Sequence, residues 1–417
     1  MIGTTPRRGF VASIAMVIVL STLGLCTMAA PSASAATLSV FNGGSIQNAI
    51  VAANNGDTVR VYPGTYLENL DFLGKAITVL AVAGPGQTTI DGRGLAPVVR
   101  FTRNEPRAAT LQGFTVKNGF DPFEGGGVQI STGSPTITNN VITANHSCSG
   151  SGLSAASSSA LIASNTISAN TQQGCSGGAG GGIYVRAAGA TEIRGNTITG
   201  NRAETGGGID LFAAGQPVLM NNHVSGNKAT THDGGGISIV NVSDATIVQN
   251  LFVGNAANFG AGGGAAWFVP AGARGPVFVN NTLASNNASV GHALFAEGFQ
   301  VNAVVSNNLF TATNGPAVVC GNFAAQLPQF RANDVWAPNA GWDVSCGIQN
   351  NVNGNRSVNP LFVNAAAGDL HLAVGSPAID AGIPAAGLPA TDLDGLVRVR
   401  DGDGNGVATV DLGVFER

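Results

Sequence analysis

The sequence predicts an all-β solenoid of single short strands, three to a coil, with a capping helix at the N-terminal end and an irregular C-terminal region. Three observations carry this. Glycine triplets or close variants recur at Gly125-Gly126-Gly127, Gly150-Ser151-Gly152, Gly180-Gly181-Gly182, Gly206-Gly207-Gly208, Gly234-Gly235-Gly236 and Gly262-Gly263-Gly264, with 25, 30, 26, 28 and 28 residues between their third members. Apolar residues follow at the first and third positions after each triplet (Val128 and Ile130, Leu153 and Ala155, Ile183 and Val185, Ile209 and Leu211, Ile237 and Ile239, Ala265 and Trp267), and a period of two marks a strand. Composition supplies the third: 60 glycines among 417 residues, 44% apolar residues and only 10% charged. Disorder needs the opposite balance of apolar and charged residues, and collagen needs glycine at every third position. The net charge of −4 leaves no basic footprint for nucleic acid or anionic lipid.

The elements follow in chain order. Arg7 and Arg8 precede an apolar run over 11–25, and Ala33-Ser34-Ala35 supplies a small-x-small site, so residues 1–35 are expected to be a signal peptide cleaved after Ala35. Arg7-Arg8-Gly9-Phe10-Val11 also resembles a twin-arginine signal, with Pro6 where Ser or Thr is usual. No second apolar stretch is long enough to span a membrane as a helix. Ser45 can cap a short helix carrying Ile46, Ala49, Ile50 and Ala53 on one face and ending near Asn55-Gly56, which would cover the open edge of the first coil. The solenoid is assigned to 36–348 and the irregular region to 349–417.

Within the coils an asparagine recurs 13 to 17 residues after the glycine marker: Asn140, Asn165, Asn196, Asn222, Asn250, Asn281 and Asn308. Apolar residues stand three before (Ile137 to Val305) and two after (Ile142 to Phe310), and a second asparagine follows five on at Asn145, Asn170, Asn201, Asn227, Asn255 and Asn286. Tight bends with a left-handed backbone at these asparagines, and amide ladders along the axis, are the physical expectation. Coils stacked at about 4.8 Å bury apolar columns that no single coil could bury.

Ser45-Ile46-Gln47-Asn48-Ala49-Ile50, Gly56-Asp57-Thr58-Val59 and Pro63-Gly64-Thr65-Tyr66 resemble the opening of bacterial right-handed parallel β-helix proteins of the pectate-lyase-like superfamily. The glycine and asparagine repeats resemble the polymorphic-outer-membrane-protein type within it. Asn359-Pro360-Leu361-Phe362, Gly368-Asp369-Leu370-His371-Leu372, Gly375-Ser376-Pro377-Ala378-Ile379-Asp380, Thr391-Asp392-Leu393-Asp394-Gly395 and Val410-Asp411-Leu412-Gly413 resemble the choice-of-anchor Q domain. The resemblance implies an exported right-handed parallel β-helix without a single fixed activity. In relatives such a region often precedes an anchor; with no hydrophobic tail before Arg417, release to the medium or periplasm is expected over covalent attachment.

Cys148 and Cys175, and Cys320 and Cys346, lie 27 and 26 residues apart, one coil each. Stacking brings such pairs within the Cα separation of about 4.4–6.8 Å that a disulfide needs, and export would oxidise them. Asp401-Gly402-Asp403-Gly404-Asn405-Gly406 matches the start of a calcium loop, in which Asp401, Asp403 and Asn405 supply oxygens. Leu412 stands where the bidentate Glu belongs, Asp411 is adjacent, and Asp392 or Asp394 could contribute; the alternative is a Gly/Asp turn held by its own side-chain hydrogen bonds, and either way the loop is structural.

Catalytic groups are scarce. No Asp, Glu, Lys or Arg occurs over 125–185, and the only acids over 125–330 are Glu192, Glu204, Asp210, Asp233, Asp244 and Glu297. A lyase needs carboxylates beside a base, and an inverting glycosidase needs acids within about 10 Å. The best cluster is Arg202, Glu204 and Asp210 with Lys228, His232 and Asp233 one period later, brought within reach by stacking; solvated loop charges that aid solubility are the other reading. Asp121-Pro122-Phe123-Glu124 resembles the Asp-Pro-His-Glu motif of mannuronan epimerases, but Phe123 replaces the histidine and Asn118 a tyrosine. Trp267, Phe268, Phe295 and Phe299 could form a sugar-stacking patch, although Trp267 falls on an inward column. The expectation is a monomeric, secreted or surface binding or structural module for polysaccharide or another cell-surface partner. A polysaccharide lyase or hydrolase, or an adhesin, is the alternative.

Overall fold

The computed structural model describes Gly3 and residues 34–187, 189–322, 326–339, 341–385 and 387–417. The signal-peptide residues, Arg7 and Arg8 included, lie almost wholly outside the described residues. Residues 35–417 form one compact unit. Its coils pair strand on strand, all parallel, so that each apolar column runs unbroken: Ile137 lies opposite Ile162, Ile162 opposite Ile193, and Ile193 opposite Leu219. Because side chains alternate between faces, this register sends each column inward, and a slip by one residue would turn it to solvent. Among the described residues three long sheets result, of twelve, eleven and ten strands. Phe252, Phe278 and Phe310 stack along the axis, and Trp267 packs against Phe278 with its indole N–H donating to Gln300 at 2.8 Å.

The expected three strands per coil are exceeded over the middle of the molecule. A fourth sheet of seven strands runs through Phe120–Glu124, His146–Ser149, Thr171–Gln172, Arg202–Ala203, Lys228–Ala229, Ala256–Ala261 and Asn287–Val290. It forms where enough chain lies between the second asparagine and the next glycine triplet for two neighbouring coils to pair; the alanines Ala229, Ala257 and Ala288 fill the narrow space behind it.

Both asparagine columns are ladders. Asn165 Oδ1 accepts from the backbone N–H of Asn140 and, at 3.1 Å, from its Nδ2, while Asn165 Nδ2 donates to the Ile137 carbonyl. The same three bonds repeat at Asn196, Asn222, Asn250, Asn281 and Asn308 and continue to Asn333 and Asn355, beyond the last glycine marker. The second column does likewise from Asn145 to Asn286. One expectation is corrected here: the left-handed residue is not the ladder asparagine but the one before it. Asn139, Ser164, Asn221, Gln249, Asn280 and Asn307 have φ between 49° and 59°, and Ala144, Ala169 and Ser285 precede the second column in the same way. The left-handed residue makes the bend, and the bend points the next side chain inward, where an amide is what satisfies the buried backbone groups of the corner.

The glycines of each triplet serve different ends. Gly206 has φ +55°, and Gly208 leaves room for the next coil: a Cβ there would lie 2.6 Å from the Gly236 carbonyl oxygen.

The helix Ile46–Ala52 covers the N-terminal end, burying Ile46 and Ile50. It is too short to hold itself. Ser45 caps it as expected, its Oγ accepting from the Asn48 N–H at 3.1 Å, and the next coil reinforces both ends: Glu68 accepts from the N–H groups of Ile46 and Gln47 at 2.9 Å, and Lys75 donates to the carbonyls of Ile50, Val51 and Ala53.

The C-terminal region folds back along the flank of the last coils. Leu370, Val414 and Phe415 pack on Leu251 and Ala284, while Leu372 and Leu412 pack near Leu309. The corner residues hold it: Asn280 Nδ2 donates to the Asp411 and Gly413 carbonyls, the Asn307 amide exchanges bonds with Ile383, and the Asn307 backbone carbonyl accepts from the Gly413 N–H. Arg398 is sealed within, paired with Glu416 at 2.6 Å and bonded to Gln249.

Candidate functional site

The corner between the seven- and ten-stranded sheets holds the chemistry. The residue between the two inward positions of each ten-stranded-sheet strand faces outward here, giving the row Gln129, Ser154, Tyr184, Asp210, Ser238, Ala266 and Phe295. The first glycine of each triplet folds back over it; a Cβ on Gly206 would lie 2.8 Å from Asp210 Cβ. Beside this row run Arg186, Phe212, Val240, Phe268 and Glu297. A small cavity of about 40 Å³ lies between Asp233, Ser238, Phe268, Phe295 and Glu297. Trp267 is core, as its inward column implies.

Asp210 is the most perturbed group of the coils. It is 1% exposed, its Oδ1 has no hydrogen-bond partner among the described residues, and burial pushes its carboxyl up to about 7 while Ser238 pulls it back. Burial and then the Asp210 charge push the adjacent Tyr184 up to about 12. A carboxyl in this state can exchange a proton near neutrality, the property asked of a general acid or base. Ser154, one coil beyond Tyr184, also has an unpartnered buried oxygen.

The other four predicted acids and bases do not join Asp210. Glu204 is tied to the loop around Cys175: its carboxylate accepts from Gln172 Nε2 at 3.1 Å and from the Gly177 N–H at 2.8 Å. Asp233, exposed, accepts from the Ala261 N–H at 2.6 Å. Exposed His232 precedes it in the same turn. Among the described residues no ion pair links any two of the five. The Asp121 and Glu124 of the epimerase-like motif are structural, for Asp121 caps its own turn and Glu124 pairs with Arg186.

Lys228 instead stands directly opposite Arg202 on the seven-stranded sheet, in the row Phe120, His146, Thr171, Arg202, Lys228. Elsewhere on the coils Arg103, Arg107, Lys117, Arg186 and Arg194 find carboxylates, whereas among the described residues Arg60, Arg93, Arg100 and Arg331 do not but stand singly and not opposite another cation. Among the described residues neither Arg202 nor Lys228 has a side-chain hydrogen bond or ion pair. A polar pocket of about 280 Å³ opens beside them, lined by Thr171, Gln172, Arg202, Glu204 and Thr230.

Cys148 and Cys175 are bonded with Cα atoms 5.5 Å apart, closing the loop that Glu204 also holds, and Cys320 and Cys346 are bonded at 5.0 Å. In the C-terminal loop the structure changes the expected oxygen set. Asp401 and Asp403 gather with Asp380, their carboxylate oxygens within 4.8 Å of one another. Asp411 is buried and committed elsewhere, accepting from the N–H groups of Asp380 and Arg417, and burial pushes it up to about 6. Asn405 turns its Oδ1 to the Val407 N–H. Asp394, with Asp369, grips His371: its two ring nitrogens lie 2.6 Å from the two carboxylates. Tyr184 and Ser238 were findable in the sequence, as they share the triplet offset of Asp210; Asp380, some twenty residues before its loop, carries no local signal.

Residues 101–273 match the family described as the right handed beta helix region. With the parallel coils this gives the chain the fold of a right-handed parallel β-helix. Solved structures similar to it include pectate lyase Pel9A, at 16% identity over 92% of this chain and 97% of that one, with a TM-score of 0.48. The PL6 family alginate lyase AlyGC is similar at 14% identity over 81% of this chain and 55% of that one, TM-score 0.45. A mannuronic-acid-specific family 6 lyase from the human gut microbiota follows at 13% identity, covering 78% and 91%, TM-score 0.33. No curated protein sequence matches the chain.

Proposed function

We propose that the chain is an exported, monomeric module that binds acidic polysaccharide across the seven-stranded sheet. The observation that carries this is Arg202 directly opposite Lys228, neither in an ion pair among the described residues. Like charges directly opposite on a sheet destabilise it, and an anionic polymer lying across the coils would relieve that repulsion while reaching the polar pocket. The two disulfides, and the absence among the described residues of a helix able to cross a membrane, are consistent with an extracellular setting. Binding to immobilised polygalacturonate or alginate tests the reading. The Arg202→Ala/Lys228→Ala pair should weaken it about tenfold and flatten its salt dependence. Unchanged binding and salt dependence in the pair would sink the proposal.

Asp210 favours a second reading, a lyase or hydrolase in which its protonatable carboxyl serves the reaction. Unsaturated ends absorbing near the ultraviolet edge, or new reducing ends, lost in Asp210→Asn, would establish it; intact polymer after long incubation would remove it. Calcium belongs to the proposal as a structural ion held by Asp380, Asp401 and Asp403, hard oxygens of the kind it takes. An unfolding temperature indifferent to chelation would dismiss it.

A further inference from the structure

The motif Asn359-Pro360-Leu361-Phe362 has no part in the sites above, yet it walls a pocket of about 350 Å³ where the C-terminal region meets the eleven-stranded sheet. The floor is the outward row Ala284, Thr311 and Trp336. Phe362, packed against the covering cluster, and Leu361 close the far side, with Thr313 at the rim. Leu361 has φ +51°, a conformation that a bulky side chain rarely adopts, fixed by its N–H to Asn359 Oδ1 and its carbonyl to the Ala373 N–H. Strained backbone of this kind is kept where surrounding structure demands it, often at a ligand clamp.

The lining has one chemical character. An indole and a phenyl ring supply apolar faces, Thr311, Thr313 and Asn359 supply hydroxyls and an amide, and among the described residues no charged side chain lines the pocket. We propose that this pocket is a second saccharide subsite, specific for a neutral pyranose. The electron-rich indole face takes the C–H face of the sugar, and the neutral donors and acceptors take its hydroxyls. The size is that of a small-ligand site. An acidic sugar would bring an anion to a pocket with no cation to meet it, so the subsite is complementary to the Arg202–Lys228 surface, which lies on a different sheet.

Titration of the intact protein with cellohexaose, xylohexaose and mannohexaose, followed by tryptophan fluorescence and calorimetry, tests this. At least one should saturate, and Trp336→Ala should weaken it about thirtyfold, the usual loss for a central aromatic, with Trp336→Phe restoring most of it. Thr313→Val, at the exposed rim, should weaken it severalfold and guards against a folding defect in Trp336→Ala. Arg202→Ala should leave these affinities unchanged, which separates this subsite from the acidic-polymer surface. Saturation by none of the three, equal affinity in Trp336→Ala and Thr313→Val, or displacement of the neutral sugar by trigalacturonate would each overturn it.

Discussion

One flank of the solenoid has two halves built on the same repeat. At the corner between the twelve- and eleven-stranded sheets, the first coils expose Asn139, Ser164 and Gly195 at the bend and turn Thr166, Thr197 and His223 outward beside them. The last coils place Gln249, Asn280 and Asn307 at the same bend, each fully buried, and Leu251, Thr282 and Leu309 at the same outward positions. Backbone geometry is the same in both: the bend residue is left-handed in Ser164 and in Asn280 alike. The difference lies in Leu251 and Leu309, which stand where the open half has Thr166, Thr197 and His223, while Thr282 keeps its threonine and accepts from the Val414 N–H; on this half the face receives the C-terminal region. A repeat thus specifies its coil through inward columns and its neighbours through outward ones.

The largest effect should come from the seal of the covered half. Arg398→Met leaves Glu416, Asp392 and Asp411 together without their cation and strips Gln249 of a partner. It should cost about 3–5 kcal/mol at alkaline pH by denaturant unfolding. Burial already pushes Glu416 up to about 7, so proton uptake should shrink the cost in acid. A cost below about 1 kcal/mol at every pH would mean that the region is not docked through this pair.

Outward columns come next. Leu309→Thr imposes the open-half residue on the covered half and should cost about 3 kcal/mol, since Leu309 is buried against Leu372 and Leu412. The reciprocal Thr197→Val on the exposed half should stay within about 0.5 kcal/mol. Equal costs would erase the distinction between the halves.

The smallest effect concerns His371, which stacks on Phe415 and bridges Asp369 and Asp394. Burial lowers its pKa, but the hydrogen bonds it donates to the Asp394 and Asp369 carboxylates outweigh that and raise it above the ordinary value. A raised folded pKa means the bridge stabilises fully below the unfolded pKa of about 6.5 and is lost as pH rises through the folded one. The stability gap between the protein and His371→Gln should therefore be largest in mild acid and vanish in alkali; a gap that grows with pH would contradict the bridge. At 44% exposure of the imidazole the effect is small.

The coil was legible because its determinants repeat: inward apolar pairs, glycine triplets, ladder asparagines and one-coil cysteine spacings all recur at a fixed period. What was hidden lacks a period. The ladder continues through Asn333 and Asn355 after the triplets cease, and the fourth sheet rests on pairs such as Arg202–Ala203 that no alternation marks. Stacking was expected to join Glu204, Asp210, Lys228, His232 and Asp233, yet outward alternation sends Asp210 into the corner and Lys228 onto the seven-stranded sheet. The partnership of Asp380 with Asp401, and of Gln249 with Arg398 across 149 residues, comes from the C-terminal fold-back.

Native-state hydrogen exchange tests the division of the flank most directly. The amides of Ile383, Gly413 and Val414 donate to Asn307 Oδ1, the Asn307 carbonyl and Thr282 Oγ1. If the C-terminal region seals the last coils, these three should be protected on the scale of the ladder amides of Asn222 and Asn250 and open with the adjoining coils. Rapid exchange at all three while the ladder amides stay protected would contradict the account, leaving both halves of the flank open.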